Sequence, residues 1–332
     1  MDCHCEERAI AATRQCRGAV FQVLAIFAAC TSLALAQDYP SRPLRLLTSG
    51  AGGGSDIITR VIAPGLGERL GQPVVVDTRV GGVIIAEIAA KAYPDGYTVL
   101  IYSSALWVLP LMQEKPSYDP FRDFAPIMVL GSTPMVLVVH PSVPAKSVQE
   151  LIALAKAKPR ELNFATGPTG ATPHLAAELF KSMAGVEMVH VPYRSVAAGV
   201  TDVLGGRVQL MFPNPGAVMG HINAGKLRGL GVASLKPSPT APGLVPIADA
   251  GLPGFEAVSN YGMVAPAKTP APLVKRLNDE TLRVLATSDA KEKLRNAGIE
   301  VIGSSPEGLL RQMKSDTLLL GKVIRAAKIR LD

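Results

Sequence analysis

Thr48-Ser49-Gly50-Ala51-Gly52-Gly53-Gly54-Ser55-Asp56 is the stretch on which the fold turns. An apolar run from Leu44 to Thr48 leads into it and an amphipathic run from Ser55 to Leu70 leaves it, which predicts strand, tight turn and helix. Side chains are nearly absent from Gly50 to Gly54, so successive backbone N–H groups can approach a ligand while the helix points its positive end the same way. A turn of this kind binds an anion. Two other readings stand beside that one: a glycine-rich turn with no ligand, and a dinucleotide fingerprint whose second strand ends at Asp77. The fingerprint fails at Ser55, where its third glycine belongs, and the Gly-Lys-Ser/Thr ending of a phosphate loop is missing.

Outward from the turn, apolar runs of strand length alternate with helical patterns. Strands are expected at Leu44 to Thr48, Pro73 to Asp77 and Thr98 to Ser103, with helices at Ser55 to Leu70 and Val83 to Ala92 between them. Short connections make this a parallel βαβαβ unit with right-handed crossovers. A second series follows, with strands at Met135 to Val139, Asn163 to Thr166, Met188 to Val191, Val208 to Phe212 and Arg228 to Ala233. Its helices are expected at Ser147 to Lys156, Pro173 to Met183, Val196 to Leu204 and Val218 to Ala224. Ser147 and Glu150 have capping-box spacing. After a proline- and glycine-rich stretch, Pro237 to Pro253, comes an extended segment, Glu256 to Val264, and then helices at Leu273 to Ala286, Asp289 to Asn296 and Pro306 to Ala327. Two βα lobes joined by linking strands near Met135 to Val139 and Glu256 to Val264 imply a clamshell with a cleft between the lobes.

The N-terminus has the three-part layout of a secretory signal: Arg8, Arg14 and Arg17, an apolar run from Ala19 to Leu35, and Ala34-Leu35-Ala36 before Gln37. Cleavage is expected after Ala36, which places the protein outside the cytoplasm, in the periplasm. Asp2, Glu6 and Glu7 are out of place in a basic leader and point to a translation start further downstream. All four cysteines, Cys3, Cys5, Cys16 and Cys30, precede the cleavage point, so the mature chain holds no disulfide. Cys30 follows Phe27-Ala28-Ala29, part of a lipoprotein box, but the apolar run continues beyond it, which argues against lipidation. The leader's charges cancel, leaving the mature protein the formal net charge of +7. Its basic residues are scattered and not interleaved with aromatics, which excludes a nucleic-acid surface and leaves a mild attraction for small anions.

The second series carries its own small-residue turn. Thr166 ends a strand, Gly167-Pro168-Thr169-Gly170-Ala171-Thr172 follows, and Pro173 opens a helix, so a second helix N-terminus faces outward. Two such turns could grip both ends of a dicarboxylate. Ligand contacts are therefore expected from Ser49, Gly52, Gly53, Gly54, Ser55 and Asp56 in one lobe, and from Thr166, Gly170, Ala171 and Thr172 in the other. Ser103, Ser104, Tyr193, Arg194 and Asn214 stand at strand ends, where open α/β sheets bind ligands. Asp56 is read first as a first-turn carboxylate favoured by the helix dipole and His174 as a structural hydrogen-bond partner. No Gly-x-Ser-x-Gly elbow, His-Glu-x-x-His motif or other histidine pair of metal spacing occurs, so no catalytic residue, metal or cofactor is expected.

Against this reading, ordered runs along the mature chain resemble the Bug-type (TctC-like) receptors of tripartite tricarboxylate transport. They are Tyr39-Pro40-Ser41-Arg42-Pro43, Gly52-Gly53-Gly54-Ser55-Asp56, Leu70-Gly71-Gln72-Pro73-Val74-Val75-Val76, Pro94-Asp95-Gly96-Tyr97-Thr98 and Asp123-Phe124-Ala125-Pro126-Ile127. Further on stand His174-Leu175-Ala176-Ala177-Glu178-Leu179-Phe180, His190-Val191-Pro192-Tyr193-Arg194 and Gly251-Leu252-Pro253-Gly254-Phe255-Glu256. The resemblance implies an α/β fold of the two-lobe type II periplasmic binding protein, a Venus flytrap in which each lobe is a mixed, mostly parallel sheet flanked by helices. Its lobes are expected at 37–138 plus 262–332 and at 139–261. It implies a receptor that captures a small organic acid on backbone amides and delivers it to membrane permease subunits; a monomer is expected, and the alternative reading is a receptor that presents its ligand to a sensor kinase. This chain departs from many members at Thr48-Ser49-Gly50-Ala51, where a proline-aromatic-proline approach is usual, and at Val80-Gly81-Gly82-Val83, where a longer glycine- and asparagine-bearing run is shortened. Those departures bear on ligand identity, not on fold.

Overall fold

The computed structural model describes residues 39–49, 53–79 and 82–331. The leader, its cysteines and cleavage point, and the turn residues Gly50, Ala51 and Gly52 lie outside the described residues. Strand β1 (Leu44–Ser49) buries Leu44, Leu46, Leu47 and Thr48, and helix α1 (Gly54–Leu70) buries Ile58, Ile62 and Leu66 at a spacing of one helical turn. Gly71 ends α1 with φ 69°, the left-handed cap for which glycine carries no Cβ penalty. Strands β2 (Val74–Arg79) and β3 (Thr98–Ser103) lie parallel to β1 on its two sides, with α2 (Gly82–Ala90) as the second crossover. The expected βαβαβ unit is present.

A short helix α3 (Ala105–Val108) and a 3-10 turn (Leu109–Met112) follow β3. The long strand β4 (Phe124–Pro134) then pairs antiparallel with β10 (Val258–Pro266), and β10 pairs antiparallel with β3. With β11 (Glu300–Val301) the first sheet has the order β11-β4-β10-β3-β1-β2. The second sheet, β7-β6-β8-β5-β9, is built from β5 (Val136–Val139), β6 (Asn163–Thr166), β7 (Val189–Pro192), β8 (Leu210–Met211) and β9 (Arg228–Val232). Its helices are α4 (Val148–Ala157), α5 (Thr172–Ala184), α6 (Val196–Leu204) and α7 (Pro215–Asn223). Helices α8 (Ala271–Leu285), α9 (Ser288–Asn296) and α10 (Pro306–Ala326) complete the chain. Among the described residues no helix is long and apolar enough to cross a membrane. Residues 42–331 belong to one compact unit.

Two expectations change. Val136–Val139 is not the outgoing link but a member of the second sheet; the link is β4, which runs into β5 with only Met135 between them. The chain changes sheets at Met135, between β4 and β5, and again before β10. The sheets are mixed, with a larger antiparallel share than expected, because β4, β10 and β5 are full members of the sheets. β4 tolerates Pro126 because only β10 pairs with it there, and it needs Gly131 because a Cβ would stand 2.5 Å from the Glu300 carbonyl of β11.

The core of the second sheet is centred on Phe180, Phe212 and Phe255, whose ring centroids lie 5.6 to 6.0 Å apart. Val323 of α10 joins this cluster, while Leu309, Met313 and Ile324 of the same helix join the cluster around Trp107 on the first sheet. Leu175 of α5 also packs into the Trp107 cluster. Thus α10 and α5 tie the two sheets together by burial. The capping box at Ser147 forms with a shift: Ser147 Oγ accepts from the Glu150 N–H, but the Glu150 carboxylate takes the Lys146 N–H at 2.7 Å.

Candidate functional site

The parallel strands of each sheet bring the expected residues to one edge. In the first sheet Ser49 and Ser103 end β1 and β3; in the second Thr166 ends β6, Tyr193 and Arg194 follow β7, and Asn214 follows β8. Those carboxyl ends are where ligands bind in open α/β folds.

At the first edge Gly53 is the N-cap of α1, with extended backbone and no side-chain cap. The first bond along the helix runs from the Ile57 N–H to the Gly53 carbonyl, so the amides of Gly54 and Ser55 have no acceptor within the helix. A Cβ at Gly54 would overlap the Tyr261 hydroxyl and ring, so only glycine fits there. Tyr261 lies on β10, opposite Ser103 in register, and its hydroxyl donates to Thr133 Oγ1 of β4 at 3.3 Å. Burial raises its pKa, so the phenol stays protonated. The N-terminus of α1 is therefore seated on a residue of one linking strand and braced by a residue of the other.

Asp56 is buried, and its carboxylate accepts from Thr78 Oγ1 at 2.7 Å and from Arg60 Nε at 3.0 Å. It joins α1 to β2, and Gly53, not Asp56, occupies the cap. Ser55 is buried, its carbonyl accepting from Thr59 Oγ1 at 2.6 Å. Ser103 Oγ accepts from the Ala105 N–H at 3.4 Å, and Ser104, also buried, precedes α3.

The second edge is built differently. Gly170 has φ 81°, and its N–H donates to His174 Nδ1 at 3.1 Å. The Ala171 N–H donates to the Pro168 carbonyl at 3.1 Å. Both amides are thus spent inside the turn, contrary to the simplest form of the two-ended grip, because the turn is tight enough to satisfy its own donors. Thr172, half-buried, opens α5 and lies next on the outward path. Thr166 Oγ1 donates to the Gly167 carbonyl and lies 2.7 Å from His190 Nε2. A Cβ on Gly170 would come within 2.8 Å of Met112 Sδ, so this turn abuts the 3-10 turn that follows Ser103 and Ser104.

Two further residues are committed elsewhere. The Tyr193 hydroxyl donates to Asp202 Oδ2 at 2.7 Å, and burial, followed by that bond, raises its pKa. Asn214 caps α7, its Oδ1 accepting from the Ala217 N–H at 3.2 Å. Arg194 is exposed at the same edge. The side chain of Ser49 and all of Gly52 fall outside what the structure describes. Tyr261 and Met112, distant in the chain, and the pairing of His174 with His190, whose rings stack at 4.2 Å, gave no signal in the sequence. No group of three or more metal-ligating side chains occurs among the described residues. A groove of about 610 Å³ between α1 and the β2 edge, lined by Ala63, Gly67, Gln72 and Val74 among others, holds none of the expected site residues.

Comparison with known proteins shows the family and the fold. The family model described as the tripartite tricarboxylate transporter family receptor matches residues 58–329. The chain is similar to the protein BugT of Bordetella pertussis, at 35% identity over 86% of this chain and 90% of that one. It is similar in structure to R. palustris Rpa4515 with adipate, with a TM-score of 0.78 and 37% identity over 88% and 99% of the two chains. It also resembles MatC from Rhodopseudomonas palustris with bound malate, with a TM-score of 0.75 and 25% identity over 86% and 100%.

Proposed function

This chain belongs to the tripartite tricarboxylate transporter receptor family, and from that membership we propose that it captures a small dicarboxylate between the carboxyl edges of its two sheets and hands it to membrane permease subunits. One carboxylate lies on the amides at the start of α1, beside Ser103 and Ser104. The other end meets Thr172 and Arg194 across the cleft. The observation that carries this reading is the α1 N-terminus: Gly53 caps it without a side chain, Tyr261 requires glycine at position 54, and the amides of Gly54 and Ser55 have no helical acceptor. Two similar structures were solved with adipate and with malate, both dicarboxylates.

The proposal includes export through a leader cleaved after Ala36, action as a monomer in the periplasm, and a lobe division near Met135 and before Val258, where the chain changes sheets. Thermal unfolding of the mature protein with adipate, malate, citrate and monocarboxylates tests it. A dicarboxylate present at about 100 times its dissociation constant should add roughly 2.7 kcal/mol. Absence of any shift with every acid would refute the reading.

A further inference from the structure

Two imidazoles lie beneath the second turn, and each holds one end of it. His174 stands on the first turn of α5, four residues after Gly170, so its ring folds back under the turn and Nδ1 receives the Gly170 N–H at 3.1 Å. An amide N–H can only donate, which makes Nδ1 an acceptor and leaves the ring proton on Nε2. His190 comes from the neighbouring strand β7. Thr166 has one hydroxyl proton and gives it to the Gly167 carbonyl at 2.8 Å, so its Oγ1 accepts from His190 Nε2–H at 2.7 Å.

The rings stack at 4.2 Å with 11° between their planes, and Phe164 covers the outer face of His190 at 5.0 Å. Stacked imidazolium rings would repel each other, and a protonated Nδ1 on His174 would turn the Gly170 contact into two donors facing each other. Neutral rings satisfy every contact. The charges acting on the pair are Glu178 and Lys181 of α5, which bond to each other at 2.8 and 3.0 Å; Glu178 Oε1 is 4.0 Å from His174 Nε2. Burial lowers the pKa of both imidazoles, that of His174 to about 4, with His190 and Lys181 adding to the effect on His174.

We propose that His174 and His190 are positioning residues for ligand capture: as a stacked neutral pair they fix Gly170 and Thr166, and so set the attitude in which Thr172 and the rest of the turn meet the ligand. This rests on the reading that the second turn receives one end of a carboxylate ligand. Neither ring is offered as a ligand contact, since the nitrogens facing the turn are engaged and His174 is buried.

The test uses the mature protein, calorimetric titration with adipate at neutral pH, and hydrogen exchange of the Gly170 amide followed by NMR. His174→Ala should weaken adipate binding about tenfold, the size of one hydrogen-bonded contact, and speed Gly170 exchange by about as much with the fold retained. His174→Asn, whose amide oxygen can accept in place of Nδ1, should restore both to near wild type, and His190→Gln should outperform His190→Ala in the same way. Unchanged affinity in His174→Ala, with or without faster exchange, would overturn the positioning role, as would His174→Asn behaving like His174→Ala. Should His174→Ala fail to fold, the His190 pair decides by the same criterion. If the wild type binds no acid, the functional reading falls, while slow Gly170 exchange that the alanine variant does not lose would separately refute the clamp.

Discussion

The two turns at the carboxyl edges of the sheets look alike as sequence, small residues between a strand end and a helix start, yet they solve opposite problems. The first leaves the opening amides of α1 without helical acceptors and is seated from outside, by a tyrosine 207 residues away, on the linking strands. The second satisfies Gly170 and Ala171 from within and is held from below by histidines. An uncapped helix start gives charge recognition that is indifferent to the remainder of the ligand. A pre-satisfied turn offers few amides and recognises through side chains and shape. Under the proposed function, affinity for a carboxylate belongs to the first turn and selection among carboxylates to the second.

Five substitutions probe that division, in falling order of effect. Gly54→Val should abolish adipate binding in calorimetry and destabilise by about 1–3 kcal/mol from overpacking against Tyr261, read as a lower midpoint in urea. Adding Tyr261→Ala should recover part of the stability of Gly54→Val, a coupling of more than about 0.5 kcal/mol that two independent sites would not show.

Acid should act on the second turn. His174 is held neutral in the folded protein down to about pH 4, whereas the unfolded chain takes up a proton near the ordinary value of 6.5. The unfolded state thus binds more protons between those values, so stability falls as pH drops from about 6.5 toward 4 and is unaffected by this group above that window. The full loss is about 3 kcal/mol. His174→Asn should flatten that part of the urea-midpoint profile, and an unchanged slope would contradict the assignment.

Thr78→Val removes the donor to Asp56 and should cost about 1–2 kcal/mol in urea unfolding with a modest effect on binding, because Asp56 joins α1 to β2. Arg194→Ala should change stability by less than about 0.5 kcal/mol, being exposed, while shifting the preference between adipate and malate in competitive titration. A stability loss comparable to that of Thr78→Val would make Arg194 a structural residue instead.

Most of the element order was legible because it rests on local periodicity: β3, β6 and α6 fall where apolar alternation and helical spacing put them. β4 was not legible, since Pro126, Gly131 and Pro134 read as breakers until the absence of a second neighbour at Pro126 and the approach of β11 at Gly131 are known. The glycine turn could be recognised from composition alone. The partner that makes Gly54 obligatory could not, because Tyr261 reaches it only through the sheet pairing of β10 with β3. Tyr193 and Asn214 were placed correctly at strand ends, but their polar atoms serve Asp202 and the start of α7. The Gly170–His174 bond spans four residues and was within reach of sequence reasoning; the stacking of His190 upon it depends on strand order.

We propose that the amides at the start of α1 hold the ligand's carboxylate. Calorimetric titration of the mature wild type and of Gly53→Val with adipate, each with its circular dichroism spectrum recorded, tests it most directly. The wild type should bind one-to-one and a folded Gly53→Val not at all. Equal affinity in the two proteins would contradict it and move the site away from the first turn.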